Sequence, residues 1–237
     1  MKVFAILPAA GLGTRMSSGT ASPHDPKQFL TLAGLPVLVH SLKAFAAVPR
    51  IEQIIVAVRR NELERTQEEV AQYNLAGKVR VVEGGDNRQQ SVGNALATLS
   101  AADDDVILVH DAVRPLIDSA TIERTIDAVA KHGAAIVGLP AVDTIKQVER
   151  TADGAIITST VPRERIVQAQ TPQGFRFGLM QKAFAEAEAD GFLGTDESSV
   201  LERAGIEVAV VMGSPKNFKI TQPGDLELAE FYLKSKS

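Results

Sequence analysis

Short apolar runs alternate with amphipathic stretches along most of this chain, and this alternation restricts the fold more than any other feature of the sequence. The apolar runs are continuous stretches of Val, Ile and Leu, which is typical of strands buried on both faces. We expect strands at residues 3–7, 53–58, 79–82, 106–109 and 135–139. The stretches between them predict helices at 37–47, 61–73, 87–99 and 119–131, with Asn87 and Ser119 as N-caps. This order predicts an α/β fold of three layers, in which helices cover both faces of a mostly parallel sheet.

The alternation stops near residue 141. Residues 141–171 mix β-forming residues with a turn signal at Asp153-Gly154, which predicts an extended hairpin arm. Pairing with a second copy would bury the exposed edges of a projecting hairpin, whereas the alternative is a hairpin that lies on the edge of the main sheet. Beyond it we expect a helix at 179–190, a strand at 206–212, a segment at 217–221 and a helix at 223–233. We therefore predict a single domain over residues 1–237, with an arm at about 141–171.

Composition and charge exclude several classes of function. The chain has no cysteine, which rules out disulfides, thiolate catalysis and iron–sulfur clusters, and fits a reducing, cytoplasmic location. Its net charge of -4 argues against nonspecific binding of nucleic acid. No segment reaches the roughly 20 apolar residues of a membrane helix. Residues 2–13 resemble a signal peptide superficially, but they read better as a strand followed by a glycine loop. We expect no nucleic-acid partner and no membrane partner.

Unusual polar residues follow three of the predicted strands. They occupy residues 8–15, 83–88 and 110–115. Ligands of parallel α/β sheets bind beyond the carboxyl ends of the strands. The three segments are therefore predicted to form one site.

The loop that holds Gly11, Gly13 and Arg15 is typical of a phosphate-binding loop. Glycines let backbone amides approach a phosphate closely, and Arg15 adds a fixed cation. The loop lacks the dinucleotide fingerprint, which would need Gly or Ala where Met16 stands, and the chain has no P-loop motif. The alternative is an ordinary glycine turn with a solvated arginine.

Lys27 ends a long connection that begins at Gly11. We interpret this connection as a flap that closes over a nucleotide and brings Arg15 and Lys27 to the same phosphates. The alternative for Lys27 is an ordinary exposed lysine.

Asp111 comes directly after the predicted strand 106–109. A carboxylate at that place, beside a phosphate loop, is a candidate ligand of Mg²⁺. The alternative is a local ion pair between Asp111 and Arg114. The histidines have no zinc-binding spacing, so we expect His110 to serve packing or hydrogen bonding rather than to act as a base.

Together these residues resemble the 2-C-methyl-D-erythritol 4-phosphate cytidylyltransferases of the non-mevalonate isoprenoid pathway. The resemblance covers nearly the whole chain. Its motifs are Pro8-Ala9-Ala10-Gly11-x-Gly13-x-Arg15-Met16, Pro26-Lys27-Gln28, Gly84-Gly85-Asp86-x-Arg88-x-x-Ser91, His110-Asp111-Ala112-x-Arg114-Pro115, Asp143-Thr144-x-Lys146, Thr171-Pro172-Gln173, Thr195-Asp196-Glu197 and Asn217-x-Lys219-x-Thr221. The first motif alone indicates a nucleotidyltransferase of the sugar-nucleotide type, and the later motifs narrow the resemblance to this family.

The resemblance implies a Rossmann-like nucleotidyltransferase fold, a homodimer formed through the β-arm, and transfer of CMP from CTP to methylerythritol phosphate with release of pyrophosphate. It implies that Arg15 and Lys27 stabilise charge at the α-phosphate and pyrophosphate, while Arg163 and Lys219 hold the acceptor phosphate. It also implies three groups of binding residues. Around the nucleotide lie Ala10, Gly11, Gly13, Gly85, Asp86 and Ser91; near the metal and the acceptor hydroxyls lies Asp111; in the acceptor pocket lie Arg114, Thr144, Thr171 and Thr195.

One departure from the family pattern concerns the flap, because residues 16–26 separate Arg15 from Lys27, which are usually closer together. Pro26 and Gln28 still flank Lys27 as the family pattern requires.

The implied reaction agrees with the residue types present. A phosphate monoester is largely dianionic at pH 7, so the acceptor needs no general base, and the enzyme's task is positioning and charge neutralisation. Three other functions stay open at this point: a cytidylyltransferase for another polyol phosphate such as ribitol 5-phosphate, a regulator that binds CTP without turnover, and a scaffold dimerised by its arm. The choice of CTP over UTP comes from the resemblance, since base selection in such loops depends largely on backbone contacts.

Overall fold

The computed structural model describes residues 1–11 and 26–235. The strands of this part are β1 (Val3–Pro8), β2 (Thr31–Leu32), β3 (Leu35–Pro36), β4 (Ile51–Val58), β5 (Val79–Glu83), β6 (Val106–Val109), β7 (Ala134–Pro140), β8 (Ile145–Thr151), β9 (Gly154–Val161), β10 (Val167–Arg176) and β11 (Ala209–Met212). The helices are α1 (Val37–Ala46), α2 (Leu63–Gln72), α3 (Arg88–Ala97), α4 (Ser119–His132), α5 (Phe177–Ala189), α6 (Glu197–Arg203) and α7 (Pro223–Lys234). Short 3₁₀ turns stand at Lys27–Phe29, Arg60–Glu62 and Arg163–Arg165.

Seven of the described strands form one sheet in the order β11-β7-β10-β6-β1-β4-β5. The neighbours β1 and β4, β1 and β6, β4 and β5, and β7 and β11 pair in parallel. Strand β10 pairs antiparallel with both β6 and β7. The predicted α/β class with a mostly parallel sheet is confirmed.

Helices cover both faces of this sheet, as the buried strand runs predict. On one face α1, α2 and α4 pack against alternate side chains of the strands, including Ala5, Leu7 and Val56. On the other face α3, α5 and α6 pack against the intervening side chains, including Ile6, Ile55 and Ile107. Helix α7 covers a smaller cluster beside β2. Because both faces of the strands are buried, their continuous apolar runs were readable from the sequence.

Several element boundaries differ from the prediction. Asn87 caps α3 as expected, since its side chain accepts a hydrogen bond from the Gln90 amide. Ser119 is not a cap: Asp118 caps α4 by accepting from the Thr121 amide, and its carboxylate takes the place that a serine hydroxyl would fill. The strand predicted at 206–212 begins only at Ala209.

Strand β10 is the largest departure from the prediction. The sequence pattern places residues 167–171 in the arm, yet they begin a ten-residue strand inside the main sheet. Pro172 argues against a central strand at this place in the sequence, because proline has no N–H to donate to the hydrogen bonds between strands. The pairing with β7 is interrupted there, between Ala169 and Gln173.

The predicted hairpin arm itself is present as β8 and β9. The two strands form a separate two-stranded sheet, and their side chains are exposed along almost the whole length. The arm leaves the main sheet after β7 and returns into β10. It therefore begins and ends at the carboxyl edge of the parallel strands.

Candidate active site

The carboxyl edge of the sheet holds a cavity of about 570 Å³, a volume typical of small-molecule sites. Its walls come from the segments that follow β1, β4, β5 and β6, together with Lys27 and Lys219 from distant parts of the chain. The predicted site residues that line it are Ala10, Gly11, Lys27, Gly85, Asp86, Ser91, Asp111 and Lys219. The expectation that the strand exits share one site is therefore met in the described part of the chain.

Side chains from neighbouring segments fix the backbone that follows β1. The Ala9 amide donates to the Ala57 carbonyl of β4 at 2.7 Å, which continues the sheet ladder. Buried Gln28 donates to the Ala9 carbonyl at 2.6 Å. Arg59 donates through Nε to the Ala10 carbonyl at 2.8 Å. The start of the glycine loop is thus held from two sides. Gly13 and Arg15, which complete the predicted loop, and residues 16–25 of the predicted flap lie outside the described residues.

The turn from β5 into α3 is tightly packed and has room only for glycine. A Cβ on Gly85 would lie 2.4 Å from the Cβ of Gln90. The Gly85 amide donates to the Ser91 hydroxyl at 3.0 Å, and this hydroxyl donates to the Asn87 carbonyl at 2.8 Å. Asp86 is exposed at the cavity rim. Ser91 therefore shapes the turn that presents Gly85 and Asp86.

Asp111 is the centre of the cavity's charge network. Its Oδ2 lies 3.1 Å from Lys219 Nζ and 3.1 Å from Arg114 Nε, and its Oδ1 lies 3.3 Å from Arg88 Nη2. Burial alone would raise the pKa of this carboxyl, but its attraction to the three cations, strongest for Lys219, holds the pKa well below the usual value. Asp111 is therefore ionised across the whole physiological range.

Arg88 connects Asp111 to a second buried carboxylate. Its Nη1 donates to Glu197 Oε1, at the first turn of α6. Burial raises the pKa of the Glu197 carboxyl, and Arg88 opposes that shift. Oε2 of Glu197 is buried and has no hydrogen-bond partner in the described structure. Arg88 thus faces the cavity while its guanidinium bridges two acids.

A chain of hydrogen bonds behind Asp111 fixes its backbone. The Asp111 amide donates to the Thr171 hydroxyl at 3.0 Å, and this hydroxyl lies 3.0 Å from His110 Nδ1. His110 Nε2 lies 3.2 Å from the Arg114 carbonyl. A carbonyl can only accept, so Nε2 carries the proton and Nδ1 accepts from Thr171.

His110 is completely buried, and its ring packs 4.8 Å from that of Phe45. Burial lowers the pKa of His110 to about 4, so the imidazole is neutral at pH 7. Thr171 is likewise buried, behind Asp111 rather than on the cavity wall. The predicted packing and hydrogen-bonding role of His110 is confirmed.

Lys219 is brought to the cavity by a segment without regular secondary structure. Asn217 donates through Nδ2 to the Thr171 carbonyl at 2.8 Å, and its own carbonyl accepts from Arg114 Nη1 at 2.8 Å. Ile220 directly follows Lys219, and its amide donates to the Val113 carbonyl at 2.9 Å. Lys27 Nζ donates to the Ile220 carbonyl at 3.3 Å. These bonds place Lys27 and Lys219 at the same end of the cavity.

Other predicted site residues do not line the cavity. Arg114 is buried beneath it, where it holds Asp111 and residue 217. Thr195 is exposed just before α6. Thr144 and Arg163 are exposed at the base of the arm, where Arg163 Nη1 donates to the Val142 carbonyl at 2.7 Å. Within a single chain, the arm residues and the cavity stay apart.

The comparisons with known proteins agree with this architecture. The family model described as IspD, 2-C-methyl-D-erythritol 4-phosphate cytidylyltransferase, matches residues 3–235. The chain belongs to this family. It is 70% identical to the 2-C-methyl-D-erythritol 4-phosphate cytidylyltransferase of Acidobacterium capsulatum, with 100% of this chain and 99% of the relative covered. It is 52% identical to that of Solibacter usitatus, with 100% and 98% covered.

Solved structures of the IspD family have the same fold. The crystal structure of the Francisella tularensis 2-C-methyl-D-erythritol 4-phosphate cytidylyltransferase is 34% identical and superposes with a TM-score of 0.78, covering 98% of this chain and 99% of that one. The 4-diphosphocytidyl-2C-methyl-D-erythritol synthase of Anaerococcus prevotii is 28% identical, with a TM-score of 0.82 and 98% of both chains covered. As a member of the IspD family, the chain is a nucleotidyltransferase of isoprenoid biosynthesis.

Three charged residues of the site have no role that the sequence predicts. Arg88 and Glu197 lie within the family motifs. Their pairing depends on the fold, which brings α3 and α6 together on one face of the sheet. Arg59 stands in no motif, although it lines the cavity. The one signal that marks Arg59 is its place directly after a buried strand.

Proposed function

We propose that the cavity binds CTP and that methylerythritol phosphate attacks its α-phosphate there, giving 4-diphosphocytidyl-2-C-methyl-D-erythritol and pyrophosphate. The observation that carries this proposal is the meeting of Lys27 and Lys219 in one cavity with the glycine loop and the 85–91 turn. Family membership supports the identity of both substrates.

No described helix combines the length and the apolar composition that a membrane span needs.

The cations at the Lys219 end of the cavity explain how two anions can approach each other. The acceptor phosphate is largely dianionic at pH 7 and can attack without a general base. Lys219, held by Asp111, orients this phosphate, while Lys27 neutralises charge on the α-phosphate and the leaving pyrophosphate. We give Arg15 the same role as Lys27. Neutral His110 takes no part in proton transfer and serves to orient the Asp111 backbone.

The residues of the cavity fit a Mg²⁺ ion that arrives with the triphosphate. Mg²⁺ prefers one or two carboxylates together with phosphate oxygens, and Asp111 is an ionised carboxylate on the cavity wall. In residues 1–11 and 26–235, no three acidic or histidine side chains form a ready-made metal site. Asp111 would therefore supply one oxygen, and the bound metal would neutralise part of the triphosphate charge.

Release of pyrophosphate tests this function. The purified chain is incubated with CTP, Mg²⁺ and either methylerythritol phosphate or ribitol 5-phosphate, and pyrophosphate is measured. We expect release with methylerythritol phosphate and little with ribitol 5-phosphate. Equal kcat/KM for the two acceptors would favour a cytidylyltransferase for another polyol phosphate. Binding of CTP without release of pyrophosphate would favour a regulator.

We also propose that two copies associate through the arm, so that Thr144 and Arg163 of one copy complete the acceptor pocket of the other. The exposed position of both residues, away from the cavity of their own chain, supports this arrangement. So do the large apolar side chains that the arm exposes, which include Val148, Ile156 and Ile157. In this arrangement Thr195, which is exposed just before α6, would belong to the same copy as the cavity.

Mixing two inactive variants tests the shared site. Lys27→Ala damages the cavity and Arg163→Ala damages the arm, so each variant alone has little activity. In a mixed dimer, one of the two sites combines an intact cavity with an intact arm. Random exchange of subunits should then restore about a quarter of the wild-type turnover. No recovery after exchange, shown by mass measurement of tagged subunits, would place the arm outside the partner's site.

A cytoplasmic location completes the proposal, since a chain without cysteine fits a reducing compartment.

A further inference from the structure

Arg59 is a cavity residue that neither the motifs nor the reaction accounts for. It directly follows β4, and its side chain lines the cavity between the segment that follows β1 and the turn that follows β5. The Gly84 amide donates to the Val58 carbonyl at 2.7 Å, so the 84–86 turn lies directly beside Arg59.

The guanidinium of Arg59 is only partly used by the protein. Its Nε donates to the Ala10 carbonyl at 2.8 Å. Its Nη2 is buried, and within the part of the chain that the structure describes it has no hydrogen-bond partner. A buried donor without a partner costs free energy, roughly 1–3 kcal/mol and more for a charged group. A ligand atom that accepts from Nη2 would remove this cost.

Arg59 differs in this respect from other cations of the cavity. Arg88 pairs with Glu197 and Asp111, and Lys219 pairs with Asp111. Among the described residues, no carboxylate comes within 4.0 Å of the Arg59 guanidinium. Arg59 therefore lines the cavity with a charge that no described carboxylate pairs and with one buried donor that no described group accepts.

The strand order fixes which part of a nucleotide Arg59 would meet. Along the sheet edge the order is β6, β1, β4, β5, and neighbouring strands are about 4.8 Å apart. Asp111 and its partner Lys219 stand at the β6 end, where the phosphates react. Arg59 stands after β4, two strands away or about 10 Å, next to the Gly85 and Asp86 turn. In the proposed binding of CTP, with the phosphates at the β6 end, this is the nucleoside end of the cavity.

We propose that Arg59 is a nucleotide-binding residue whose Nη2 donates to an acceptor atom of the cytosine or ribose, while its Nε holds the Ala10 carbonyl in place. The inference rests on the proposed binding of CTP in this cavity. Arg59 would then contribute to the affinity for the nucleotide, and it would not neutralise charge on the reacting phosphates.

Four ligands separate this role from the alternatives. Calorimetry with CTP, CMP, cytidine and inorganic pyrophosphate, in Mg²⁺ and without acceptor, compares wild type with Arg59→Met. We expect the Kd of CTP, of CMP and of cytidine to rise by the same factor, about tenfold or more, because all three contain the nucleoside. The Kd of pyrophosphate should stay within twofold of wild type, because this ligand lacks the nucleoside. Arg60→Met, at the exposed neighbouring residue, is the matched control and should leave all four constants unchanged.

Each other result overturns the inference. If CTP and CMP bind the variant within twofold of wild type, Arg59 does not touch the nucleotide. If CTP loses much more affinity than CMP, or CMP much more than cytidine, Arg59 contacts phosphate. If pyrophosphate weakens as much as CMP, Arg59 only supports the 10–11 backbone. Should Arg59→Met fail to fold, Arg59→Lys, which keeps the charge but loses the fork of donors, takes its place with the same expected order of ligands. Wild-type protein that binds CTP but releases no pyrophosphate would instead contradict the proposed function.

Discussion

The cavity wall and the hairpin arm both lie at the carboxyl edge of the sheet, yet they differ in how their side chains are buried and paired. Around the cavity, charged side chains are buried and paired, as in the network of Arg88, Asp111 and Glu197. Along the arm, strands β8 and β9 expose nearly every side chain, apolar ones included. The cavity is thus organised within one chain, whereas the arm presents groups that its own chain does not cover. The cavity residues therefore find their partners within their own chain, whereas the arm residues are the ones that the proposed dimer would cover.

Lys27→Ala gives the largest expected effect on turnover. Its ammonium stands in the cavity and faces the leaving group in the proposed reaction, and loss of one such contact typically costs about 3–4 kcal/mol in the transition state. We expect kcat to fall about 10²- to 10³-fold in a steady-state pyrophosphate assay, and the same for Arg15→Ala. Lys182→Ala, at an exposed lysine of α5, is the control and should retain wild-type kcat. Near-normal turnover of both Lys27→Ala and Arg15→Ala would contradict the roles given to these cations.

Glu197→Leu tests how much the buried pair of Arg88 and Glu197 contributes to the free energy of unfolding. The change leaves Arg88 with one acid instead of two, and loss of one partner of a buried ion pair costs about 3 kcal/mol. We expect a matching fall in the free energy of unfolding measured by urea titration. Glu202→Leu, at an exposed position of the same helix, should change it by less than about 0.5 kcal/mol. Equal effects of the two variants would mean that the pairing adds nothing to the fold.

His110 makes stability depend on pH in a defined window. The unfolded chain protonates this imidazole near pH 6.5, whereas the native protein does so only near pH 4. Because the unfolded state binds more protons between these values, the free energy of unfolding falls as pH decreases from 6.5 to 4, by about 3 kcal/mol for this group. In ligand-free protein, urea titrations across this range should give a smaller pH slope for His110→Asn than for wild type. His132→Asn, on the exposed end of α4, should keep the wild-type slope. An unchanged slope in the His110 variant would place the pH dependence elsewhere.

Ile157→Glu tests the arm and has the smallest expected effect on the single chain. Ile157 lies opposite Val148 in the hairpin, so the two form an apolar pair on one face of the arm. Because Ile157 is 60% exposed, the change should alter thermal stability little while it lowers the solution mass from dimer to monomer by light scattering. Thr151→Glu, at an exposed residue three positions along the strand from Val148, places the same charge on the other face and is the matched control. A dimer that survives Ile157→Glu would assign association to another surface.

The sequence predicted the parts of the fold that depend on local pattern. Strands with both faces buried leave continuous apolar runs, so β1, β4, β5, β6 and β7 were found within a residue or two. Strand β10 was missed because its burial comes from being inserted between β6 and β7, which no local pattern records. At the site, the strand exits were predicted, but the contacts between distant residues were not. Thr171 is an example: its motif marked it as part of the site, and only the fold reveals that its hydroxyl holds the Asp111 amide.

The reversed direction of β10 ties the two regions together. Its first half carries the chain back from the hairpin and reaches Thr171, whose hydroxyl holds the Asp111 amide. Two residues further along, the side chain of Gln173 accepts from the Ser198 amide at the start of α6. The return from the hairpin and the scaffold behind Asp111 and Glu197 are therefore the same strand, which its two neighbours β6 and β7 hold within the sheet.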